Sequence, residues 1–288
     1  MKEITLEELL EAGCHFGHQV IRSNPKARDF VFEARDNIQI IDLAKTKEGL
    51  EEAIEYVRDL AKKGATLLVV GTKRQAQQIV KEEVKKIGHA ENNVFYVTAR
   101  WVGGILTNTS EISKNIVKLK DIEKLLLDSN EKAKYTKKEL GLFEKEKQRL
   151  ENLYSGIAEM KEKPDALFII DSHMEHLAVK EAKRMNIPTV AIVDTNADPH
   201  IIDYPIPAND DATGSVQLIV SYVLSAWEEG RKALKTKAEE VKKAEEAKQK
   251  EVKKEDAKKE VKKEVKKEEK SKEKPEVKKP LKTKAKKK

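Results

Sequence analysis

The amino-acid sequence predicts an α/β domain whose sheet is mostly parallel and covered by helices on both faces. The first observation is a set of short, continuous apolar runs, such as residues 65–70, which are typical of strands buried on both sides. The second is that these runs alternate with segments whose apolar residues recur at helical spacing. Because parallel neighbours need a crossover connection, this alternation indicates repeated β-α units in one sheet.

Two local elements precede the alternating part of the chain. Residues 5–11 predict a short helix, in which Thr5 and Glu8 form a capping box and the leucines make one apolar face. Runs rich in β-branched and aromatic residues follow at 30–32 and 38–41. These runs predict a hairpin or paired strands at the entry to the domain.

The alternating part of the domain begins near residue 50. Glycines such as Gly64 and Gly88 close its first predicted helices. In chain order, the sequence predicts a helix at 50–61, a strand at 65–70, a helix at 76–87, strands at 94–97 and 166–170, a helix at 177–182, a strand at 189–193 and a last helix at 216–227.

An insertion at residues 109–163 interrupts the alternation and predicts an antiparallel helical hairpin with coiled-coil packing. Thr136 and Glu139 form a predicted capping box at the start of its second arm. The insertion divides the α/β domain into residues 1–108 and 164–230. The apolar stripes of the two arms are Ile112, Ile116, Leu119, Ile122 and Leu126, and Phe143, Leu150, Leu153, Ile157 and Met160.

Residues 231–288 form a Lys/Glu-rich tail that we predict to be disordered, because its apolar residues are too sparse to build a core. The tail contains 26 Lys and Arg against 13 Asp and Glu, which leaves 32 against 38 in residues 1–230. Residues 1–230 therefore form an acidic body of charge −6, although the whole chain has a formal charge of +7. This body would bind nucleic acid only through local basic patches. Two roles stay open for the tail, a solvated segment or a basic arm lying on RNA.

Composition excludes several classes of protein. No stretch approaches the roughly 20 apolar residues of a membrane span, and the acidic start lacks the features of a signal peptide, so we expect a cytoplasmic protein without membrane contact. The single cysteine, Cys14, excludes an internal disulfide framework. Two groups of histidines lack the paired spacing of a structural zinc site, so we expect no metal. These groups are His15 and His18 beside Cys14, and His173 with His176.

Polar residues after the later strands raise the question of catalysis. Asp171, Ser172 and His173 are the residue types of a hydrolytic triad, but adjacent residues at a strand end point in different directions and cannot form its relay. Ser172 with Glu175 instead predicts a capping box. We therefore expect no catalytic residue, no cofactor and no small-molecule substrate. Mg²⁺ binding and plain loop capping are both open for the acidic residues Asp194, Asp198, Asp203, Asp210 and Asp211.

The loop at residues 71–75 follows a predicted buried strand and begins a helix. Its N–H groups and the helix dipole favour an anion, and Lys73 and Arg74 add two cations. The loop matches neither a dinucleotide-binding fingerprint nor a P-loop. Contact with RNA phosphates and plain helix capping by Thr72 with Gln75 are both open.

The loop at residues 100–108 reads RWVGGILTN and follows the strand predicted at 94–97. Its two adjacent glycines let the backbone approach a partner closely, while Arg100 is suited to pair with a phosphate. Trp101 is expected to be structural and to pack under the helical hairpin. We therefore expect Arg100 and the glycine backbone to lie on a contact surface.

Two longer stretches carry a family resemblance. Residues 9–18 read LLEAGCHFGH, and residues 164–188 begin PDALFIID and hold Glu175 and Glu181 in step. Both resemble the signatures of the bacterial ribosomal protein S2 family, and the likeness covers nearly all of residues 3–228. The resemblance implies a flavodoxin-like three-layer fold with the inserted hairpin, no enzymatic activity and a place in the small ribosomal subunit.

The resemblance also implies partners and contact residues. The implied partners are small-subunit ribosomal RNA, adjacent small-subunit proteins and ribosomal protein S1, whose docking brings messenger RNA. Asp171 and Pro188 are expected to be structural. The residues expected to contact RNA are His15, His18, Lys26, Arg28, Lys73, Arg74, Arg100, Gly103, Gly104, Thr107 and Asn108.

Two other classes of function compete with a ribosomal scaffold. An enzyme acting on a phosphorylated small molecule would use residues 71–75, and binding of nucleotides or sugar phosphates to the free protein would identify it. A coiled-coil adaptor would act through residues 109–163 and would keep its partner after deletion of the sheet domain.

Overall fold

The computed structural model describes residues 4–236, and it confirms the predicted α/β architecture. Residues 237–288, most of the predicted tail, lie outside the described residues. Within the described part, no helix is both long enough and apolar enough to cross a membrane. The helices are α1 (Leu6–Glu11), α2 (Leu43–Lys62), α3 (Arg74–Ile87), α4 (Thr109–Leu127), α5 (Ser129–Lys132), α6 (Lys137–Tyr154), α7 (His176–Met185) and α8 (213–236).

A small antiparallel sheet near the N-terminus contains β1 (Phe16–Gln19), β2 (Val31–Arg35) and β3 (Ile38–Ile41) in the order β1-β3-β2. β2 and β3 form the predicted hairpin. Asp36 and Asn37 at its turn have positive φ angles of 49° and 63°, the backbone of a type I′ turn that matches the strand twist. The sequence pattern does not predict β1, because its four residues show no apolar alternation.

The main sheet holds five parallel strands in the order β5-β4-β6-β7-β8. The strands are β4 (Leu67–Val70), β5 (Val94–Val97), β6 (Ala166–Ile170), β7 (Thr189–Val193) and β8 (Tyr204–Pro207). Counted among themselves along the chain they run 2-1-3-4-5, the flavodoxin-like order, which reverses between β4 and β6. In open α/β sheets, ligands bind beyond the carboxyl ends of the strands at such a reversal.

The sequence pattern does not predict the edge strand β8, because this strand contains two prolines, Pro205 and Pro207. Proline cannot donate to a strand ladder, so its presence argues against a central strand. β8 pairs only with β7 among the described strands, and an edge position tolerates proline. The pattern of apolar residues thus predicted four of the five parallel strands.

Side chains of the main sheet alternate between two buried clusters, which makes the domain three-layered. Leu67 and Phe168 belong to the cluster that includes residues of α2, α3 and α8. Leu68 and Leu167 belong to the cluster that includes residues of α7 and of the hairpin helices α4 and α6. Every residue of β4, β6 and β7 is buried, so the prediction of strands covered on both faces is confirmed.

The inserted helices α4 and α6 pack against each other, with the short α5 between them. They run antiparallel: Asn115 of α4 contacts Tyr154 at 3.3 Å, and Lys118, further along α4, contacts Glu146, which is earlier in α6, at 2.9 Å. The capping box predicted at the start of α6 is present. Coiled-coil packing of the two arms stays a prediction.

The last helix, α8, continues through residue 236 and therefore crosses the boundary predicted after Gly230. Arg231 is buried, and a Cβ placed on Gly64 would lie 3.5 Å from the side chain of Leu234. Packing against the domain thus continues beyond residue 230.

Candidate nucleic-acid interface

Loops that carry most of the predicted contact residues meet at the carboxyl edge of the main sheet. The segments after β4, β6, β7 and β8 all begin there because the strands are parallel. The N-terminal sheet joins this edge: the N–H of His18 donates to Thr195 Oγ1 at 3.0 Å, and the N–H of Asn24 donates to the Thr195 carbonyl at 2.8 Å. Residues far apart in sequence are therefore neighbours at one edge.

Lys73, which follows β4, is held by carboxylates rather than presented to solvent. Its ammonium lies 2.7 Å from Asp210, 2.7 Å from Asp211 and 3.2 Å from Asp171, which follows β6 across the strand-order reversal. Burial lowers the pKa of Lys73, but these carboxylates outweigh it and raise the pKa above its ordinary value. The ammonium stays charged, and the surrounding acidic groups repel a phosphate.

His18 lies beside the same group of acids. Its Nδ1 is 3.1 Å from Asp194 and its Nε2 is 3.5 Å from Asp211. The Asp194 carboxylate raises the pKa of His18, and burial lowers it by less. Burial, with Asp171 and Asp194 nearby, raises the pKa of Asp210 to about 7. We call His18, Lys73, Asp171, Asp194, Asp210 and Asp211 the strand-end cluster.

Glu181 of α7 organises the loop at residues 98–108. One carboxylate oxygen accepts from the Trp101 indole N–H at 3.1 Å and from the Gly104 N–H at 2.8 Å. The other accepts from the Leu106 N–H at 3.2 Å, and from the N–H and hydroxyl of Thr107 at 3.3 and 3.1 Å. Five hydrogen bonds from this loop thus converge on one buried acid, a network that rigidifies the loop.

Two predicted contact residues of this loop, Gly104 and Thr107, therefore use donor groups within the chain. The Gly104 N–H and the Thr107 hydroxyl both donate hydrogen bonds to Glu181. Trp101, which was predicted to be structural, is buried. Gly103 and the side chain of Asn108 are exposed, and Asn108 Oδ1 accepts from Ser110 Oγ at 3.1 Å. Glu181 itself was not predicted to organise the loop. The available signal was an acidic residue adjoining the apolar face of the predicted α7.

Three predicted contact residues, Arg28, Arg74 and Arg100, are exposed, and none forms an ion pair within residues 4–236. Arg74 is the first residue of α3, and Arg100 follows β5. Arg28 lies in a 3-10 helix, Pro25–Phe30, that packs against the short helix Pro199–Ile201 after β7. Arg74 and Arg100 thus belong to segments that begin at the carboxyl edge, and Arg28 belongs to a segment joined to that edge through the hydrogen bond of Asn24 to Thr195.

The remaining predicted residues have partners or partial burial. Lys26 is exposed, and its ammonium pairs with Asp198 at 2.5 Å. His15 is half-buried, with its ring centroid 4.0 Å from that of Phe16, and burial lowers its pKa. The Pro188 carbonyl accepts from the N–H of Leu167, which joins the start of β7 to β6.

Neither of the two capping boxes considered at strand ends is formed, Thr72 with Gln75, which was one of two alternatives, or Ser172 with Glu175, which was predicted. Thr72 does not cap α3, because its hydroxyl donates to the Glu175 carboxylate on the neighbouring loop. Ser172 does not cap α7 either: the helix begins at His176 with no side-chain cap, and the Ser172 hydroxyl has no partner in the described part of the chain. At Thr72, a contact across the strand-order reversal replaces the local hydrogen bond that the sequence spacing suggested.

The capping box predicted at α1 is only half formed. Thr5 Oγ1 accepts from the Glu8 N–H at 3.2 Å, as predicted. The Glu8 carboxylate accepts from the hydroxyl of Tyr222 in α8 at 2.7 Å. This acid therefore links the first and last described helices.

Comparison with known proteins identifies the family. The model of the family described as "Ribosomal protein S2" matches residues 9–230. A protein named "Small ribosomal subunit protein uS2" from Fusobacterium nucleatum is 46% identical over 234 residues, which are 81% of this chain and 93% of that protein. Proteins of the same name from Geotalea uraniireducens and Corynebacterium urealyticum are 48% and 45% identical over 233 residues, 81% of this chain and 89% and 85% of theirs.

The relatives are proteins of the small ribosomal subunit and not enzymes, so the expectation of a non-catalytic chain is confirmed. The match spans the α/β domain together with the inserted hairpin and stops at residue 230. With the family model covering most of the chain and relatives this similar over more than four fifths of it, the chain belongs to the ribosomal protein S2 family.

Proposed function

We propose that this chain is a structural constituent of the small ribosomal subunit that binds ribosomal RNA through the carboxyl edge of its main sheet. The observation that carries the proposal is the exposure of Arg28, Arg74 and Arg100 at that edge without an ion-pair partner in the described part of the chain. A planar guanidinium recognises phosphate by two parallel hydrogen bonds. Three such groups on one edge form a local basic patch on a body whose formal charge is −6.

Some residues at this edge present a charge to solvent, and other residues hold the surrounding loops in position. Lys73 is used internally by the strand-end cluster, and Glu181 fixes the loop that follows Arg100. Fixed loops reduce the conformational entropy lost on binding. We therefore assign RNA contact to the three arginines, to the exposed Lys26 and to the backbone at Gly103, and a supporting role to Lys73 and His18.

A second part of the proposal concerns protein partners. The N-terminal sheet and the segment before it expose large apolar side chains, with Ile21 96% and Phe32 71% exposed, and Phe16 half exposed. Large apolar side chains exposed within one small sheet and its connections support the assignment of a protein-binding site there. We assign it to adjacent small-subunit proteins, including ribosomal protein S1. The chain would then act in the cytoplasm, within the assembled subunit.

Salt-dependent binding to transcribed small-subunit ribosomal RNA tests the RNA interface. Replacing Arg28, Arg74 and Arg100 together with Ala removes three phosphate contacts, so the slope of log K against log salt should become shallower by about 2 to 3. The matched control replaces three exposed cations at the opposite, amino edge of the sheet, Lys63, Lys85 and Arg184.

The control should leave the slope unchanged. Equal slopes for both triple variants would show that binding does not depend on the carboxyl edge. A second readout is incorporation into small subunits in cells, measured by gradient sedimentation of tagged copies: the edge variant should be depleted from subunits and the control variant should not.

A further inference from the structure

Three of the four sheet edges in the described part of the chain are covered by other elements. Helix α2 lies along β8, where the Thr46 hydroxyl donates to the Pro207 carbonyl at 2.5 Å. The turn after α6 covers β5, since a Cβ placed on Gly156 would overlap the Tyr96 carbonyl oxygen. On β1, the N–H of His18 donates to the loop after β7. The fourth edge belongs to β2, the outer strand of the N-terminal hairpin.

The edge of β2 is open. Residues 32–35 are all exposed, and β2 pairs only with β3 among the described strands. Arg35 and Ile38 flank the two-residue turn of the hairpin, so they exchange the backbone hydrogen bonds that close it. Because these bonds alternate along an antiparallel pair, the N–H and carbonyl of Ala34 point away from β3. Such outward groups are a template for pairing with another strand.

The charges of β2 fit a second copy of the same strand. If two copies run antiparallel with their Ala34 residues opposite each other, Glu33 of each copy lies directly across from Arg35 of the other. Opposite charges in this position attract, and like charges repel. Within residues 4–236, neither Glu33 nor Arg35 forms an ion pair, so both side chains are available for this contact.

The same charges select the register. Pairing that is centred on Glu33 would place the two Glu33 carboxylates opposite each other, and pairing centred on Arg35 would do the same with the two guanidinium groups. Only the register centred on Ala34 combines two attractive pairs with the outward N–H and carbonyl groups of that residue. A second copy would also cover part of Phe32, which is 71% exposed.

We propose that the free chain forms a symmetric dimer in which the two β2 strands pair antiparallel about Ala34. Each copy uses the same surface, as a two-fold axis requires. One strand edge buries little area, so the dimer is weak, with a dissociation constant of about 10–100 µM. The dimer needs no RNA and goes beyond the function proposed above. It covers part of the apolar surface assigned to protein partners until the chain enters a subunit.

Sedimentation velocity of the full-length, RNA-free chain tests the proposal. Between about 1 and 300 µM, a range that brackets the expected dissociation constant, the mass should rise from monomer toward dimer. Salt of about 150 mM screens the net charges of the two chains beyond about 8 Å. Ala34→Pro removes the outward N–H, a change that an edge strand tolerates, and should weaken the dimer about 10-fold or more. Ala34→Ser keeps the N–H and is the matched control.

Charge exchange tests the register. Glu33→Arg and Arg35→Glu each place like charges across both pairs, so each variant alone should dimerise about 10-fold more weakly than the wild type. An equimolar mixture of the two restores opposite charges and should form a heterodimer about as tight as the wild-type dimer. Glu52→Arg and Arg184→Glu make the same charge changes at exposed positions of α2 and α7 and should each dimerise as the wild type does.

The variants lie at exposed positions, and circular dichroism checks that each one folds. A wild-type chain that stays monomeric over the whole concentration range overturns the proposal. Dimers that Ala34→Pro leaves as tight as those of Ala34→Ser overturn it as well. So does a mixture of Glu33→Arg with Arg35→Glu that associates no more tightly than either variant alone.

Discussion

The carboxylate of Glu181 and the indole of Trp101 form a hydrogen bond of 3.1 Å that ties α7 to the loop after β5. The same carboxylate accepts N–H groups from Gly104, Leu106 and Thr107. One acidic side chain therefore sets the path of the chain from the main sheet to the inserted hairpin. Arg100 directly precedes Trp101, so the acid that holds the indole also orders the backbone next to this exposed guanidinium.

Replacing Glu181 with Gln should lower the free energy of unfolding by about 2–3 kcal/mol, because the amide loses a charge-assisted acceptor and turns a donor toward backbone N–H groups. Urea denaturation followed by tryptophan fluorescence measures the change. Glu162→Gln, at an exposed position after α6, is the control and should change stability by less than about 0.5 kcal/mol. Equal stability of the two variants would contradict the assigned role of Glu181.

The stabilisation by Glu181 should depend on pH in a defined direction. Burial raises the pKa of Glu181, but its hydrogen bonds from Gly104, Trp101, Leu106 and Thr107 outweigh burial and hold the pKa below the ordinary 4.5. A carboxyl with a lowered folded-state pKa contributes stability above its unfolded pKa and loses it as pH falls through the folded pKa. The stability difference between wild type and Glu181→Gln should therefore be constant from pH 7 to about pH 5 and shrink below the ordinary pKa.

Denaturation at a series of pH values measures this profile. The difference between wild type and Glu162→Gln serves as the baseline for ordinary carboxylates. A difference between wild type and Glu181→Gln that grows on acidification would mean that the folded state does not hold Glu181 ionised.

Two glycines near the base of the hairpin should respond oppositely to substitution by Ala. A Cβ on Gly156 would overlap the carbonyl oxygen of Tyr96 and come 2.6 Å from its ring, so Gly156→Ala should destabilise the chain by about 2–3 kcal/mol. A Cβ on Gly141, inside α6, meets nothing within 4 Å, so Gly141→Ala should stabilise it by about 0.5–1 kcal/mol. Thermal and urea unfolding measure both, and destabilisation by Gly141→Ala would contradict the open surroundings of that residue.

The single cysteine should be unreactive in the folded chain. Cys14 is fully buried, and burial raises the pKa of its thiol. Since the thiolate is the nucleophile, iodoacetamide should label Cys14 many-fold more slowly in buffer than in urea. Mass spectrometry of timed samples measures the rate, and Cys14→Ser is the control for labelling at other groups. Labelling at equal rates in both solutions would show that residues near α1 open readily.

Periodicity predicted elements whose burial is uniform or regular. Residues 166–170 and 189–193 are continuous apolar runs and form β6 and β7 with those bounds. Prediction from the local sequence failed where residues distant in the chain determine whether a strand or a helix cap forms. Pro205 and Pro207 argue against a strand until the edge position of β8 is known. Thr72 and Ser172 have the spacing of helix caps, yet the first is bonded to Glu175 on the next loop and the second is buried.

The residues of the candidate interface were only partly predictable, because contacts between residues distant in the chain decide which basic side chains are exposed. From the sequence, basic residues in loops that follow strands are predicted to make contacts, and these residues include Arg74 and Arg100 as well as Lys73. Only the positions of Asp171, Asp210 and Asp211 distinguish Lys73, whose charge they neutralise, from the arginines, which stay exposed.

The sequence by itself determined the α/β class, the inserted hairpin and the family, because apolar periodicity and family signatures are local properties of the chain. The tertiary structure alone decided which charges face solvent, how Glu181 holds its loop, and where His18 meets Asp194. The physical reason is that hydrogen bonds and ion pairs act over a few ångströms, and only folding brings residues separated by more than a hundred positions within that range.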